Sequence, residues 1–474
     1  MTRMQRPRQT QRNKTSHDLR LPSNARMHVI LIPGFAGFDA LGQLEYYAGV
    51  TPFFRKWCKK HTDRATAVLH YFDNFPTAAV VTRSELLSQY LVKRIARAEI
   101  AGEDRIALVG HSTGGLDIRL LLWHLAQLSQ LSKPIVTDGG SGKDRAVKVD
   151  PGEVLERVDR VVFISVPQWG TNIADWVRTY HPERRLVVAG LRASVEASQV
   201  PLVDTAQHLI SSVTAALANT DLIFAVQDAL REAEADTRRS PLGTAKAQEA
   251  AALISLWLRH MATDFRAIDD LTAVEPRRHA KGSEDWERSP AHFDSKRRKE
   301  EQRIWKEHDI RTKSYATIGT NPFNFSDDPV PRWDLLKPWT YPEFNKETKR
   351  SARTDATYRI CYRACAGGPF KYPPDSEGLG LEALHSEKER KIAMWDNDGI
   401  VNTASMLWPN LEKTVLVESD HMDIVGHYQR VRAANGSERE FQAYDLLKSN
   451  SGFTSDIFED VWAAIFDFCV PKRR

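Results

Sequence analysis

Apolar and polar positions along this chain fall into two patterns that alternate. Short apolar runs at Met27–Ile32, Ile106–Val109 and Val158–Val166 read as buried strands. Between them lie helical patterns. From Val80 to Ala98 the apolar positions Leu86, Leu87, Tyr90, Leu91 and Ile95 recur at helical spacing, and Leu116–Leu122 opens a second such segment directly behind Val109. Strands alternating with helices predict a mostly parallel sheet flanked by helices, the α/β class. The Gly/Ser-rich stretch Asp138–Lys143 interrupts this pattern and reads as a surface excursion.

The pattern then changes twice. Residues 178–271 hold amphipathic helices, around Leu209–Leu217 and Leu253–Leu258, and no convincing strand. A helical insertion between sheet strands is expected to form a cap or lid, the alternative being helices that simply cover the sheet. Residues 275–313 are densely charged with both signs mixed, which predicts a solvated helix or extended arm rather than a nucleic-acid patch. Strand signals return at Ser314–Gly319 and Lys413–Val417, and an amphipathic helix around Ile457–Phe468 closes the chain. One catalytic domain over residues 27–474, interrupted by these two insertions, accounts for the whole pattern.

Composition alters the picture little. The 474 residues carry a net charge of +4, enough length for one large domain with a sizeable core. Much of the excess lies in residues 1–26, where Arg3, Arg6, Arg8, Arg12 and Lys14 face only Asp18; this tail is expected to be a solvated, disordered leader. Four cysteines do not make a disulfide framework. Cys361 and Cys365 lie close together, but no second pair or nearby histidine supports a metal. No apolar run reaches spanning length, and Met27–Ile32 lacks the small-residue cleavage site of a signal peptide. As written, the chain is expected to be soluble and cytoplasmic, or secreted if a signal peptide has been removed.

The chemistry concentrates where the strand at Val109 meets the helix at Leu116. Gly110-His111-Ser112-Thr113-Gly114 is a G-x-S-x-G between a buried strand and a helix, the context of a nucleophile elbow. The turn is crowded, so glycine suits the positions two before and two after the serine, and the serine oxygen projects near the positive end of the following helix. A serine needs a base, and the base needs an acid to hold its tautomer. In α/β-hydrolases these follow in chain order as acid and then histidine, on loops after late strands. Asp398 stands in a turn beside Gly399 and is preferred to Asp396. His421 follows the strand ending at Val417 and is preferred to His427; His111 lies within the elbow, with its side chain directed away from that of the serine. The oxyanion donors are expected to be the backbone N–H of Thr113, after the nucleophile, and that of Phe35, in the turn Pro33-Gly34-Phe35-Ala36-Gly37.

Taken together, these motifs resemble the bacterial true lipases of the α/β-hydrolase superfamily. Gly34-Phe35-Ala36-Gly37, Gly110–Gly115 and Val166-Pro167-Gln168-Trp169-Gly170-Thr171 carry the likeness. The late pair, Asn397–Thr403 and Asp420–Gly426, is most similar to thermophilic Bacillus-type and staphylococcal lipases. The resemblance spans the catalytic core and implies an α/β-hydrolase fold with Ser112, Asp398 and His421 as triad and Phe35 and Thr113 as oxyanion donors. It also marks departures. Pro33 stands where the family has His, and Val166-Pro167-Gln168 replaces its Thr-Pro-His. The family's zinc excursion has only His61 and His70 as counterparts, without paired spacing, so no zinc is expected. Its calcium site maps to Asp423, but the next acid falls at Tyr428. The expected activity is carboxylic-ester hydrolysis through an acyl-enzyme without a cofactor, on apolar or bulky esters met at a lipid–water interface. Acyl transfer or amide cleavage by the same triad, or lipid binding by a hydrolase fold without catalysis, are the alternatives. Nothing in the sequence bears on oligomeric state.

Overall fold

Six strands run parallel through the core: β1 (Arg26–Ile32), β2 (Thr66–Tyr71), β3 (Arg105–His111), β4 (Val158–Ile164), β5 (Arg311–Ile318) and β6 (Thr414–Glu418). They form one sheet in the order β6-β5-β4-β3-β1-β2, with every neighbouring pair parallel. The computed structural model describes residues 25–35, 40–41, 44–138, 146–180, 266–273, 288–322, 354–367, 380–381, 383–384, 389–409, 414–428, 445, 447 and 449–473. The apolar run of β1 exists because both faces of the sheet are covered. Met27, Val29 and Leu31 pack with Tyr47, Trp57 and Trp462 on one face. Ile30 and Ile32 point the other way, into the cluster of Leu87, Leu91, Leu116 and Trp305. This parallel sheet flanked by helices is the α/β architecture that the alternating pattern predicts.

The flanking helices form where their apolar spacing allows one face to be buried. α1 (Val50–Lys60) turns Val50, Phe54 and Trp57 inward. α2 (Val80–Ala96) buries Leu87, Leu91 and Val92 together with Arg83 and Ser84. It stops two residues short of the sequence periodicity because Ala98 takes φ +56°, which no helix can continue through. α3 (Thr113–Gln130) is buried on most sides over its first four turns. α5 (Ser455–Cys469) starts at Thr454, whose hydroxyl accepts the Ile457 N–H, and buries Phe458, Val461, Trp462, Ile465, Phe466 and Cys469. The excursion at residues 138–143 begins on a hairpin, Ile135–Asp138 against Ala146–Val149.

The charged segment departs from expectation. Its described part includes α4 (Ser295–Glu307), begun by Asp294 accepting the Arg297 N–H at 2.9 Å. One face of α4 is not solvated: Arg297, Arg298, Glu301, Ile304 and Trp305 are buried. Glu301 forms a two-pronged ion pair with Arg119 of α3 at 2.7 and 3.0 Å, both side chains fully enclosed. Charge composition alone cannot reveal an interior partner 182 residues away. The helical insertion expected over 178–271 lies largely on residues 181–265, outside the described residues, as do the tail residues 1–24. Among the described residues no helix is long and apolar enough to cross a membrane, and all four cysteines are free thiols.

Candidate active site

The turn from β3 into α3 holds Ser112 at φ 53°, ψ −128°, a backbone conformation that costs a side-chain-bearing residue of order 1–3 kcal/mol. The surroundings impose it. The Ser112 N–H donates to the Ile164 carbonyl at the end of β4 (2.9 Å), and its own carbonyl accepts the Gly115 N–H (3.1 Å). The glycines answer to close approach. A Cβ on Gly110 would lie 2.7 Å from the Gly114 backbone, and one on Gly114 would lie 2.4 Å from the Ile32 carbonyl oxygen. The turn after β1 abuts the serine directly, since a Cβ on Gly34 would fall 2.6 Å from that of Ser112. Phe35, half-buried, follows this contact, and Thr113 is the enclosed first residue of α3.

Asp398 and His421 are bonded to each other: Asp398 Oδ2 lies 2.7 Å from His421 Nδ1. With a carboxylate at Nδ1, that nitrogen carries the proton and Nε2 is left as the basic atom. The loop is built to hold this arrangement. Asp398 Oδ1 accepts the Ile400 and Val401 N–H groups at 3.0 and 2.7 Å, and Oδ2 also accepts the Thr317 hydroxyl at 2.6 Å. The His421 N–H donates to the Asp398 carbonyl (3.0 Å), so the two loops are tied through backbone as well as side chain. Gly399 takes φ +94° in the turn between, where glycine is at home. The elbow is close by, for the ring of His111 lies 4.6 Å from that of His421.

The rival residues are occupied elsewhere. Asp396 accepts the Ala393 N–H within its own turn (2.8 Å), and burial pushes its carboxyl above the usual range. His427 Nε2 bonds the Tyr46 carbonyl at 3.0 Å. His61 bonds the Trp57 carbonyl, and His70 bonds His28, so the two histidines of the would-be zinc segment are separately engaged. Around His421, Asp420, Asp423 and Asp445 each place one oxygen within 4.8 Å of the others, the one such group of metal-ligating side chains among the described residues. Tyr428, which stands where the lipase resemblance would have the next acid, donates to Ser455. Burial and the neighbouring Asp445 push the Asp420 carboxyl up to about 7, and burial and Asp420 push Asp423 well above the usual range. This all-oxygen set suits a hard divalent cation such as calcium.

Two contributors escape a reading of the sequence. Thr317, on β5, supplies one of four donors to Asp398. Arg83 lies fully buried on α2, paired with Asp117 of α3 at 2.8 Å, and it donates to the Pro33 carbonyl (2.8 Å) and the Gly34 carbonyl (3.3 Å). The one available signal was Arg83's position in the apolar stripe of its helix.

No protein-family model matches this chain, and no curated protein matches it either. Among solved structures it is similar to EstA from Clostridium botulinum, at 14% identity over 97% of this chain and 90% of that one, with a TM-score of 0.40. It is also similar to lipase 1 from Pelosinus fermentans, at 15% identity over 84% and 93%, TM-score 0.35. A third is the lipase BlEst2 of Bacillus licheniformis, at 10% identity over 87% and 90%, TM-score 0.35.

Proposed function

We propose that this chain is a serine-dependent carboxylic-ester hydrolase, of the lipase and esterase kind. The observation that carries the reading is the Asp398–His421 bond of 2.7 Å beside an elbow that holds Ser112 at φ 53°. In this reading His421 Nε2 takes the Ser112 proton as the hydroxyl oxygen attacks the ester carbonyl. The N–H groups of Phe35 and Thr113 stabilise the oxyanion as it forms. Collapse of the tetrahedral species breaks the bond to the alcohol, which leaves with the proton from His421. Water then attacks the acyl-enzyme by the same route and restores Ser112. Acyl transfer to another alcohol, or amide cleavage, needs only a different acceptor or leaving group. The late motifs favour the Bacillus-type and staphylococcal lipases as relatives, and the helical insertion at residues 178–271 is proposed as a lid over an apolar acyl pocket. Asp420, Asp423 and Asp445 would hold a calcium ion, whose charge would offset three crowded carboxylates next to His421. It takes no part in the bond-making steps.

The test is a panel of p-nitrophenyl esters of rising chain length together with an emulsified triglyceride, run on the wild type and Ser112→Ala. Turnover of the longer esters that rises above their solubility limit, abolished in the variant, with Ser112 alone labelled by a fluorophosphonate, is the expected result. Labelling at another serine, or full turnover by Ser112→Ala, would sink the reading. Flat kinetics across the solubility limit with a preference for acetyl esters would remove the lid and leave an esterase.

A further inference from the structure

Tyr46 and His111 fill the space between the turn after β1 and the loop that carries His421, and neither has a role in the reaction as proposed above. Both are enclosed. The Gly34 N–H donates to the Tyr46 hydroxyl oxygen at 2.9 Å, that oxygen lies 2.6 Å from His111 Nδ1, and His111 Nε2 lies 2.9 Å from the His421 carbonyl oxygen. The chemistry of the end groups fixes every proton along this chain. A carbonyl only accepts, so His111 carries its proton on Nε2. Burial, with His421 and His427 nearby, keeps the ring neutral, which leaves Nδ1 as an acceptor. The Tyr46 hydroxyl must then donate to Nδ1, and its lone pair receives the Gly34 N–H. All three bonds run in one direction, from the turn to the base's backbone.

The Gly34 residue is thus held at both poles, its N–H by Tyr46 and its carbonyl by Arg83. The Gly34 carbonyl and the Phe35 N–H belong to one planar peptide unit and point in opposite directions, so fixing the first aims the second. We infer that Tyr46 and His111 are positioning residues of the proposed site, a buried strut that ties Gly34 to the loop bearing His421 and so, with Arg83 orienting the Gly34 carbonyl, sets where the Phe35 N–H lies relative to that loop. The inference rests on the reading of Ser112, Asp398 and His421 as the triad. Its worth to the reaction lies in tolerance, because a displacement of about 1 Å between reacting groups costs on the order of a hundredfold in rate.

Tyr46→Phe removes one hydroxyl and no volume. It is expected to lower kcat on a soluble p-nitrophenyl ester by about 10- to 100-fold, with KM changed less than about threefold. Inhibition by a trifluoromethyl ketone, whose adduct carries the oxyanion, weakens in proportion to kcat/KM. His111→Asn keeps an acceptor for Tyr46 but loses the donor to the His421 carbonyl, and it falls by a similar factor. His111→Gln, which can return an amide N–H near the Nε2 position, recovers part of the loss. A merely structural pair would lower the melting temperature and leave kcat at 20 °C and ketone affinity at wild-type values, and that result overturns the inference. If Ser112→Ala is inactive while Tyr46→Phe and His111→Asn turn over normally, only the strut falls; if Ser112→Ala turns over normally, the strut falls with the site. Should the variants fail to fold, ¹⁵N-histidine spectra of the wild type decide. A neutral His111 ring protonated on Nε2 upholds the strut, and protonation on Nδ1 overturns it.

Discussion

Four hydrogen bonds converge on the carboxyl of Asp398, from two backbone N–H groups, the Thr317 hydroxyl and His421. Neighbouring Asp396, two positions earlier in the same turn, receives the Ala393 N–H. The difference between these carboxyls is one of direction, and it predicts different consequences for the same substitution. Asp398→Asn places an amide opposite His421 Nδ1 and favours the wrong tautomer, so kcat is expected to fall on the order of 10⁴-fold. Asp396→Asn keeps a carbonyl oxygen for the Ala393 N–H and is expected to stay within about threefold of wild type. Steady-state kinetics on one soluble ester compares the two; a severe loss in Asp396→Asn with a mild one in Asp398→Asn would reassign the acid.

Between elements, buried charge sets the packing of α4 on α3. Arg119 lies sandwiched beside Trp408, its guanidinium 4.0 Å from the ring centroid, and paired to Glu301 with no exposed side-chain surface on either partner. Burial pushes the Glu301 carboxyl up, against the opposing pull of Arg119. Removing one partner strands a charge in the interior, so Glu301→Leu is expected to cost about 3–5 kcal/mol of stability in urea titration. Arg119→Met combined with Glu301→Leu is expected to recover most of that loss. Additive losses in the double variant would show that the two do not act as a pair. The loop that follows β6 poses a related problem, with three acids converging beside His421. Added calcium is expected to raise the melting temperature of the wild type, and Asp445→Asn to shrink that rise. An equal rise in both would place the ion elsewhere.

Across the whole molecule, the sheet puts its candidate chemistry at the ends of strands β3, β5 and β6 and a different cluster at the opposite end. There, His28 on β1 receives the His70 Nε2–H at 2.8 Å and donates to Asp104 at 3.2 Å, while Arg26 also grips Asp104 and Arg94 and Glu99 lie nearby. Burial, then Arg94, brings His70 down to about 4, and burial lowers His28 against the pull of Asp104. Burial works against Asp104, but the Arg26 contacts outweigh it and bring the carboxyl down to about 2. Between pH 6.5 and about 4 these two histidines therefore hold fewer protons in the folded chain than in the unfolded one, and their contribution to stability falls as pH drops through that window, while the raised carboxyls of Asp420 and Asp423 contribute with the opposite sign. Asp104 adds a loss of the same sign as pH falls from 3.8 toward 2. The histidine contribution is read as a difference between proteins: from pH 7 to pH 4.5 the melting temperature of His70→Gln is expected to gain on that of the wild type, and a variant that loses ground to the wild type on acidification would contradict the sign.

What the sequence determined by itself is whatever a few consecutive residues dictate. The run Met27–Ile32 announces a strand covered on both faces, and Gly110 and Gly114 announce a turn too crowded for side chains. Asp398 beside a glycine and His421 behind a strand announce two loops, though the bond between them belongs to the fold. Strand order and register are set by packing between distant segments, and the remaining contacts follow from those. Thr317 reaches Asp398 across 81 residues, and His111 reaches the His421 backbone across 310. Asp445 joins Asp420 and Asp423, although the lipase resemblance places its next acid at Tyr428, where this chain has none. Glu301 sits in a run of charges that reads as solvated, and only the arrival of Arg119 from α3 makes its burial tolerable. Periodicity reports which face of an element is apolar; it cannot report which polar side chain on another element will meet it there, because that depends on the relative placement of both.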